Sequence, residues 1–234
     1  MSKKYIEIED NNQFSLSTGD LMAALLLIFV LLLIGTMLKL QDEFDKKSDI
    51  AERYKELQLE LYNDLYAEFE KDLEIWDAEI DSTLTIRFKE PDVLFDKGRS
   101  NIKPRFEEIL GNFFPRYISV LRGGKYIDHI EEIRIEGHTS IEGRNGMNAE
   151  ESYFYNMGLS QNRTRAVLRY CLKLLEQDVF EWTKNRATAN GLSSVKPISE
   201  NETEKGREQN RRVEFRVKTD AEKQIREMLR YAEN

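Results

Sequence analysis

Residues 18–38 read TGDLMAALLLIFVLLLIGTML, and residues 21–38 of this stretch carry no charged side chain. A helix rises about 1.5 Å per residue, so this run nearly crosses a hydrocarbon core about 30 Å thick. A cleaved signal peptide is disfavoured, because the run continues into Met37, Leu38 and Lys39 and lacks a small-x-small cleavage site. The sequence therefore predicts one uncleaved transmembrane helix, placed at residues 15–40.

Asp20 stands at the start of the apolar run. An ionised carboxylate at full membrane depth costs about 2.5 to 3.5 kcal/mol, so chains keep one there mainly for pairing or ion handling. If the membrane begins at Leu21, Asp20 caps the helix together with Ser17 and Thr18, and capping suffices. If the helix begins near Ser15, Asp20 lies more than one turn inside it and capping no longer explains it. Ion binding by Asp20 is the functional hypothesis.

Composition excludes several classes of function. The formal net charge of -8 argues against a nucleic-acid partner. Cys171 is the sole cysteine, which rules out an internal disulfide and a multi-thiolate zinc site. Its helical spacing from Val167 and Leu174 predicts a buried core thiol. The histidines His129 and His138 lack a cluster at ligand spacing, and no phosphate loop or nucleophile elbow occurs. We predict no enzyme activity, no catalytic residues, no metal site and no cofactor.

Residues 41–82 contain no proline or glycine and are rich in Glu, Asp, Lys, Leu and Tyr, which predicts a long helix. Apolar side chains recur along it every three or four residues: Ile50, Tyr54, Leu57, Leu61, Leu65, Phe69, Leu73, Trp76 and Ile80. The mean step of about 3.7 residues does not demand a left-handed heptad zipper. The stripe packs either on the chain's own domain or in a stiff dimeric stalk, and the sequence leaves both open.

The remaining residues alternate between strand and helix patterns. Strands are predicted at residues 84–88, 130–138 and 212–217, and helices at residues 103–121, 159–176 and 220–232. Residues 130–138 show clear alternation, with Ile133 and Ile135 on one face and Arg134 and Glu136 on the other. Strands joined through helices predict a compact α/β sandwich, with helices on one face of a mixed sheet.

Four motifs follow in a specific order: FDKG at 95–98, IEGHT at 135–139, YNMGLSQNR at 155–163 and NRRVE at 210–214. Together they resemble the OmpA-like peptidoglycan-binding domains. One apolar helix opening with Gly19 and Asp20 in front of such a domain resembles the MotB-type subunits of rotary stator motors. The segment STGDLMAA at 17–24 is similar to the B subunits of Zorya anti-phage defence systems.

This resemblance implies a single N-terminal transmembrane helix plus a helical linker, then an OmpA-like α/β domain, an α+β sandwich. The implied domains are a cytoplasmic tail at 1–14, the transmembrane helix at 15–40, a periplasmic linker at 41–82 and the peptidoglycan-binding domain at 83–234. Charge does not set the orientation, because lysines flank the helix on both sides. The resemblance instead places the chain in a bacterial inner membrane, with its N-terminus in the cytoplasm.

The resemblance also implies partners and a role for Asp20. In stators of this type a homodimer sits inside a ring of five A-type, MotA-like subunits. The two Asp20 carboxylates would alternately bind and release H⁺ or Na⁺ as the ring turns. Desolvation raises the proton affinity of a carboxylate, which suits loading on one side and unloading on the other. No cofactor is implied beyond the translocated ion.

Peptidoglycan-binding residues are likewise implied by the resemblance. The family holds the diaminopimelate of the stem peptide between a carboxylate and an arginine. Arg163 occupies the arginine position, and the residues that match the pattern beside it are Tyr155, Asn156 and Leu159. Either Arg211 or Arg212 would line the same groove, since neighbouring strand residues face opposite ways. An exposed salt bridge on a helix is the alternative for Arg163.

The family's carboxylate position departs from the pattern. After Thr139 the chain has Ser140, which cannot pair with an ammonium group. We expect weaker binding, compensation by Glu142 or Glu150, or a different ligand orientation. An insertion at residues 145–152 would reshape the same pocket.

Three alternative functions remain from the sequence. A flagellar MotB-like stator subunit shares the whole arrangement. A passive tether between inner membrane and peptidoglycan would use Asp20 only as a cap. A transporter-energising subunit of the ExbD or TolR kind shares the helix carboxylate, but its periplasmic domain is smaller and different. The hypothesis adopted here is a wall-anchored subunit of an ion-driven motor in anti-phage defence.

Overall fold

The computed structural model describes residues 3–89 and 94–220, with the side chains of residues 18–46, 48, 52–89 and 94–220. The chain divides into two compact units, Met1–Glu52 and Arg53–Asn234. Helix α1 (Lys3–Leu73) supplies all the described residues of the first unit and the beginning of the second.

The first unit contains a helical segment that is long and apolar enough to cross a membrane. This segment, Thr18–Lys46, has a mean hydropathy of 2.9 in its most apolar window, and none of that window is buried. Helix α1 begins at Lys3, so Asp20 lies well inside a helix rather than at its start. The interpretation of Asp20 as a helix cap is therefore wrong, because only the first four N–H groups of a helix need a capping acceptor.

The second unit is built on a five-stranded mixed sheet. In sheet order the strands are β1 (Ala78–Asp81), β2 (Thr85–Phe88), β5 (Arg212–Thr219), β3 (Ile130–His138) and β4 (Ala187–Gly191). Strands β3 and β4 pair in parallel, and the other neighbours pair antiparallel. The predicted strands are confirmed to within a few residues. β1 and β4 were not predicted, because neither shows a strong alternation of apolar side chains.

Four further helices complete the described fold: α2 (Pro104–Leu121), α3 (Ala149–Lys173), α4 (Gln177–Lys184) and α5 (Glu204–Asn210). α2 agrees with its prediction. The prediction that the next helix starts at residue 159 is wrong, because α3 already begins after a capping box formed by Asn148 and Glu151. Asn148 Oδ1 accepts from Glu151 N, and Glu151 Oε2 accepts from Asn148 N, both at 2.9 Å. The helix predicted at 220–232 lies outside the described residues from residue 221 on.

Aromatic side chains form the centre of the core between the helices and one face of the sheet. Phe113 of α2 lies 5.2 Å from Phe69 of α1, 5.2 Å from Phe88 of β2 and 5.0 Å from Phe215 of β5, between ring centroids. All four rings are fully buried. Cys171 is buried in the same core, as predicted. The helices therefore cover one face of the sheet, as the alternation of its strands predicted.

The end of α1 belongs to this core. Leu61, Leu65 and Phe69 are fully buried within the second unit. For this half of the stripe, packing on the chain's own domain is confirmed, and a dimeric stalk does not apply. The prediction of helix up to residue 82 is wrong, because α1 ends at Leu73 and residues 78–81 form β1. Asp77, with a left-handed φ of 46°, redirects the chain between the two elements.

Candidate functional site

A groove of about 1180 Å³ lies on the second unit beside helix α3. Its walls come from Phe95 and residues 97–99, from Thr139 and residues 142–145, and from helix α3, helix α5 and the residue that follows α5. Five of the six predicted peptidoglycan-binding residues line it: Thr139, Tyr155, Asn156, Leu159 and Arg163. The sixth, Ser140, is 3% exposed and is not part of the lining. The structure thus brings the motifs at 135–139 and 155–163 together at one surface.

Helical geometry explains why one motif supplies four of the five predicted residues in the groove. Tyr155, Leu159 and Arg163 are spaced by four residues and therefore lie along one side of α3. Thr139 follows directly after β3, whose parallel neighbour β4 continues into the same region. The Thr139 N–H donates to Ser193 O at 2.9 Å, which fixes the loop after β3.

Asn156 positions the loop after β3. Its side chain is almost fully buried, and Nδ2 donates to Ser140 O at 3.0 Å and to Glu142 O at 2.9 Å. A single amide thereby satisfies two carbonyl acceptors of this loop. The loop also packs closely on α3, because a Cβ at Gly143 would lie only 2.2 Å from Ser152 Oγ. Asn156 thus shapes one wall of the groove.

Arg163 is the buried cation of the groove. Its side chain donates from Nε to Arg99 O at 2.9 Å and from Nη2 to Asp96 O at 3.3 Å, and it lies over the Phe95 ring at 4.8 Å. The residue is 8% exposed, and no carboxylate among the described residues forms an ion pair with it. Burial lowers the pKa of Arg163 to about 10, so the guanidinium remains charged at neutral pH.

The alternative of an exposed helix salt bridge for Arg163 is wrong, because the guanidinium is neither exposed nor paired with a described carboxylate. A buried charge without a counter-ion carries a large desolvation penalty. A ligand carboxylate in the groove would offset that penalty with charge-assisted hydrogen bonds. This arrangement therefore suits an anionic ligand group.

Further cations line the groove. Lys97, Arg99 and Arg144 contribute to its walls, and none of them forms an ion pair with a described carboxylate. The Arg144 guanidinium lies 4.8 Å from the centroid of the Tyr155 ring. These side chains add positive potential beside Arg163, which favours a ligand with several carboxylates.

Three carboxylates also line the groove, and they differ in whether an arginine pairs with them. Glu142 lies 3.1 Å from Arg207 Nε and 3.4 Å from Arg211 Nη1. Glu204 is paired with the same two arginines, whereas Glu208 is exposed and forms no ion pair among the described residues. Of the two residues expected to replace the family's carboxylate, Glu142 lines the groove but is already neutralised by arginines.

Glu150 does not line the groove. It lies in the first turn of α3, in the segment that was predicted to be an insertion. Sequence reasoning missed Glu204 and Glu208, because α5 carries no motif for them and only the tertiary fold brings them to the groove. Arg211 lines the groove, whereas Arg212 is buried. The prediction that one of these two neighbours lines the groove while the other points into the structure is thus confirmed.

A second polar cluster lies on the other face of the sheet. Glu136, His138 and Glu214 place ligand-type atoms within 4.8 Å of one another. His138 Nε2 is 3.6 Å from Glu214 and 3.9 Å from Glu136, and neither ring nitrogen has a hydrogen-bond partner among the described residues. However, Glu214 Oε1 already accepts from Arg87 Nε at 2.7 Å and from Arg212 Nε at 2.6 Å. Two guanidiniums disfavour a divalent cation, so we interpret the cluster as an ion-pair network.

This network predicts a pH dependence of stability. Burial of the Glu214 carboxyl opposes ionisation, but its contacts with His138, Arg87 and Arg212 outweigh burial and hold the pKa of Glu214 well below its usual range. Because the folded pKa is depressed, the stabilisation is present above the unfolded pKa of about 4.3 and is lost as the pH falls below it. The difference in unfolding free energy between wild type and Glu214→Gln should be largest near neutral pH.

That difference should shrink as the pH falls below about 4.3, because the unfolded chain then binds a proton at this carboxylate that the folded protein does not. Chemical denaturation of residues 53–234 across a pH series measures it. Glu208→Gln serves as the control, since Glu208 is exposed and forms no described ion pair. A Glu214→Gln difference that stays constant with pH would contradict the network.

The fold and groove define an OmpA-like domain that follows a helix able to cross a membrane. The family model described as the OmpA family matches residues 94–211. The chain belongs to the family of the Zorya protein ZorB. It is 43% identical to Zorya protein ZorB of Escherichia coli strain ATCC 8739 (Crooks) over 231 residues, which cover 98% of this chain and 97% of that protein.

Two further likenesses concern the domain and its fold. Outer membrane protein A of Bordetella avium is 30% identical over 126 residues, which cover 54% of each chain. The crystal structure of a MotB-like protein from Desulfovibrio vulgaris superposes with a TM-score of 0.54 at 24% identity. That match covers 72% of this chain and 98% of the other, and shows a shared fold.

Proposed function

We propose that this chain is the wall-anchored B subunit of an ion-driven, stator-type membrane motor that acts in anti-phage defence. Membership of the ZorB family over almost the whole chain supports the defence role. The observation that carries the motor role is the position of Asp20, inside α1 and directly before the apolar run. A carboxylate held there without a capping task is suited to bind and release a translocated ion.

The proposed topology follows from this role. The chain is anchored in the bacterial inner membrane, with residues 1–14 in the cytoplasm and the OmpA-like domain in the periplasm. Two copies would sit inside a ring of A-type subunits, five per dimer, and Asp20 of each copy would carry H⁺ or Na⁺ in turn. Each charge that crosses supplies about 2.3 kcal/mol per 100 mV of membrane potential, which the ring would convert into rotation.

The groove would hold the motor to the wall. The guanidinium of Arg163, which has no ion pair among the described residues, would bind a carboxylate of the peptidoglycan stem peptide. Lys97, Arg99 and Arg144 would attract its other carboxylates. Ser140 cannot hold the ammonium of the ligand. Glu208 is the carboxylate of the groove without an ion pair among the described residues, so we assign the ammonium to it. The chain would thus act as an anchor and ion carrier rather than as an enzyme.

Replacement of Arg163 by alanine should weaken binding to isolated peptidoglycan sacculi by about tenfold or more. A hydrogen bond to a charged group contributes about 1.5–3 kcal/mol, which corresponds to this factor. Co-sedimentation of the purified protein with sacculi measures the effect. Arg169→Ala is the matched control, because Arg169 is an exposed arginine on the same helix and does not line the groove.

Arg163 also holds the carbonyls of Asp96 and Arg99, so loss of folding must be separated from loss of binding. Arg163→Lys keeps the charge but loses the bidentate fork, and should bind with intermediate affinity. Circular dichroism and thermal unfolding of each variant report its fold. Unchanged sedimentation of a folded Arg163→Ala protein would count against the site.

A further inference from the structure

A narrow cavity borders both the groove and the ion-pair network, where β3 ends and β5 begins. Its volume is about 10 Å³, which leaves room for about one water molecule. Phe95, Arg163 and Arg211 line this cavity as well as the groove. His138 and Arg212 of the network line it from the sheet. The imidazole of His138 and the guanidinium of Arg163 therefore share one space, with almost no solvent to screen their charges from each other.

Among the described residues that line this cavity, His138 is the one whose charge can change near neutral pH. A histidine ordinarily titrates near pH 6.5, far from the pH values at which carboxylates and guanidiniums titrate. The His138 side chain is 1% exposed, and neither ring nitrogen has a hydrogen-bond partner among the described residues. The charges around the ring, rather than bulk water, therefore govern its protonation.

The charged groups that face His138 act in opposite directions. Nε2 lies 3.6 Å from Glu214 Oε2 and 3.9 Å from Glu136 Oε2, and both carboxylates favour the protonated ring. The guanidiniums nearby oppose it: Arg212 opposite on β5, Arg87 and Arg134, which contact the two carboxylates, and Arg163 and Arg211 at the cavity. A change in any one of these charges therefore shifts the balance.

Arg163 differs from the other guanidiniums at the cavity. Arg211 is paired with Glu142 and Glu204, and Arg212 is paired with Glu214, so their charges are largely compensated. Arg163 forms no ion pair among the described residues, and its positive charge at the cavity is not compensated by them. A proton on His138 would add a second positive charge beside it, and the two charges disfavour each other.

We propose that binding of a ligand carboxylate at Arg163 is coupled to protonation of His138, so that the protein holds peptidoglycan more tightly as the pH falls from about 8 to about 5.5. This inference rests on the proposed wall-binding function, in which Arg163 holds the ligand carboxylate. A bound carboxylate compensates the charge of Arg163 and thereby removes repulsion that opposes the proton on His138. The proton strengthens carboxylate binding by the same factor, because coupling between two sites is reciprocal. The wall anchor would thus be strongest in an acidic periplasm.

The test uses the full chain purified in detergent and isothermal titration calorimetry with the diaminopimelate-containing tetrapeptide. The peptide is N-acetylated, because a free α-amino group at its start would itself titrate near pH 8. The wild type should bind about threefold to fivefold more tightly at about pH 5.5 than at about pH 8. Near pH 6.5 it should take up a fraction of a proton on binding, which titrations in two buffers of different ionisation enthalpy measure.

NMR of the histidine rings gives an independent measurement on the wild type. The midpoint of the His138 titration should rise by about 0.5 to 0.7 on the pH scale when the peptide is bound, since a tenfold coupling corresponds to one pH unit. The spectrum of His129→Gln assigns the two histidine signals. A midpoint that does not move would overturn the coupling, whether or not a His138 variant folds.

His138→Gln should bind the peptide with the same affinity across this pH range and without proton uptake. His129→Gln is the matched control, because the chain has two histidines and His129 pairs with Asp220 and lines neither the cavity nor the groove. It should keep the wild-type pH dependence. A pH dependence that persists in folded His138→Gln, or a wild-type affinity that does not change with pH, would overturn the coupling and leave wall binding intact. No binding at any pH would instead contradict the proposed function.

Discussion

Replacement of Asp20 by asparagine is expected to abolish protection against phage while the protein still enters the membrane and co-purifies with its ring partner. Asparagine has nearly the same size and shape as aspartate but cannot ionise, so it cannot alternate between loaded and unloaded states. Each charge that crosses the membrane releases about 2.3 kcal/mol per 100 mV of potential. Without the alternation no charge crosses, so the potential does no work on the ring. Plating efficiency of phage on cells with the full operon measures protection.

Two comparisons sharpen this experiment. Asp20→Glu keeps a carboxylate near the same depth and should retain part of the protection. Thr36→Ala changes a polar side chain in the same helix, whose Oγ1 donates to the Leu33 carbonyl at 2.8 Å, and should protect like the wild type. Full protection by Asp20→Asn would contradict the ion role and leave a passive tether as the better interpretation.

Removal of residues 53–82 is expected to unfold the OmpA-like domain, although the sequence alone placed its boundary at residue 83. The deleted segment contributes Leu61, Leu65 and Phe69, all fully buried, and the edge strand β1. Burial of such side chains contributes about 1.5–3 kcal/mol each, whereas a whole domain is stable by only about 5–15 kcal/mol. Residues 53–234 should unfold cooperatively, and residues 83–234 should not.

Single substitutions test the same point without a truncation. Phe69→Ala within residues 53–234 should lower the unfolding free energy by about 3–5 kcal/mol, because the cavity lies among Phe113, Trp76 and their neighbours. Leu59→Ala on the same helix should change it by less than about 0.5 kcal/mol, since Leu59 is 60% exposed. Chemical denaturation measures both. Similar losses for the two variants would show that α1 is not part of the core.

The elements that could be predicted are those encoded by local periodicity. The apolar run of α1, the alternation of β3 and the stripe of α2 can each be recognised from the spacing of apolar residues within one stretch of chain. The start of α3 was missed because an Asn-x-x-Glu capping box lies within what looked like an insertion. β4, with the sequence ATANG, lacks large side chains and becomes a strand only through its parallel pairing with β3.

In the candidate site too, features within one stretch of sequence could be predicted, whereas features that depend on tertiary contacts could not. Its motif residues on α3 were identified together through the resemblance to OmpA-like domains, because they lie in one short stretch of sequence. Two features were not predictable: the ion pairs of Glu142, and the lack of an ion pair at Glu208 among the described residues. Both depend on how α5 meets the loop after β3. The resemblance placed Arg163 in the groove, but only the structure shows that it is buried without an ion pair to any described carboxylate.

The central claim is that this subunit couples an ion-carrying helix to the cell wall. Its most direct test is the plating efficiency of phage on four strains. These express the full operon with the wild-type chain, Asp20→Asn, Arg163→Ala or both substitutions, at matched membrane levels. Each single variant is expected to lose protection, and the double variant is expected to protect no less than Asp20→Asn alone. Wild-type protection by either single variant, with the complex assembled, would contradict the coupling of ion carriage to wall anchoring.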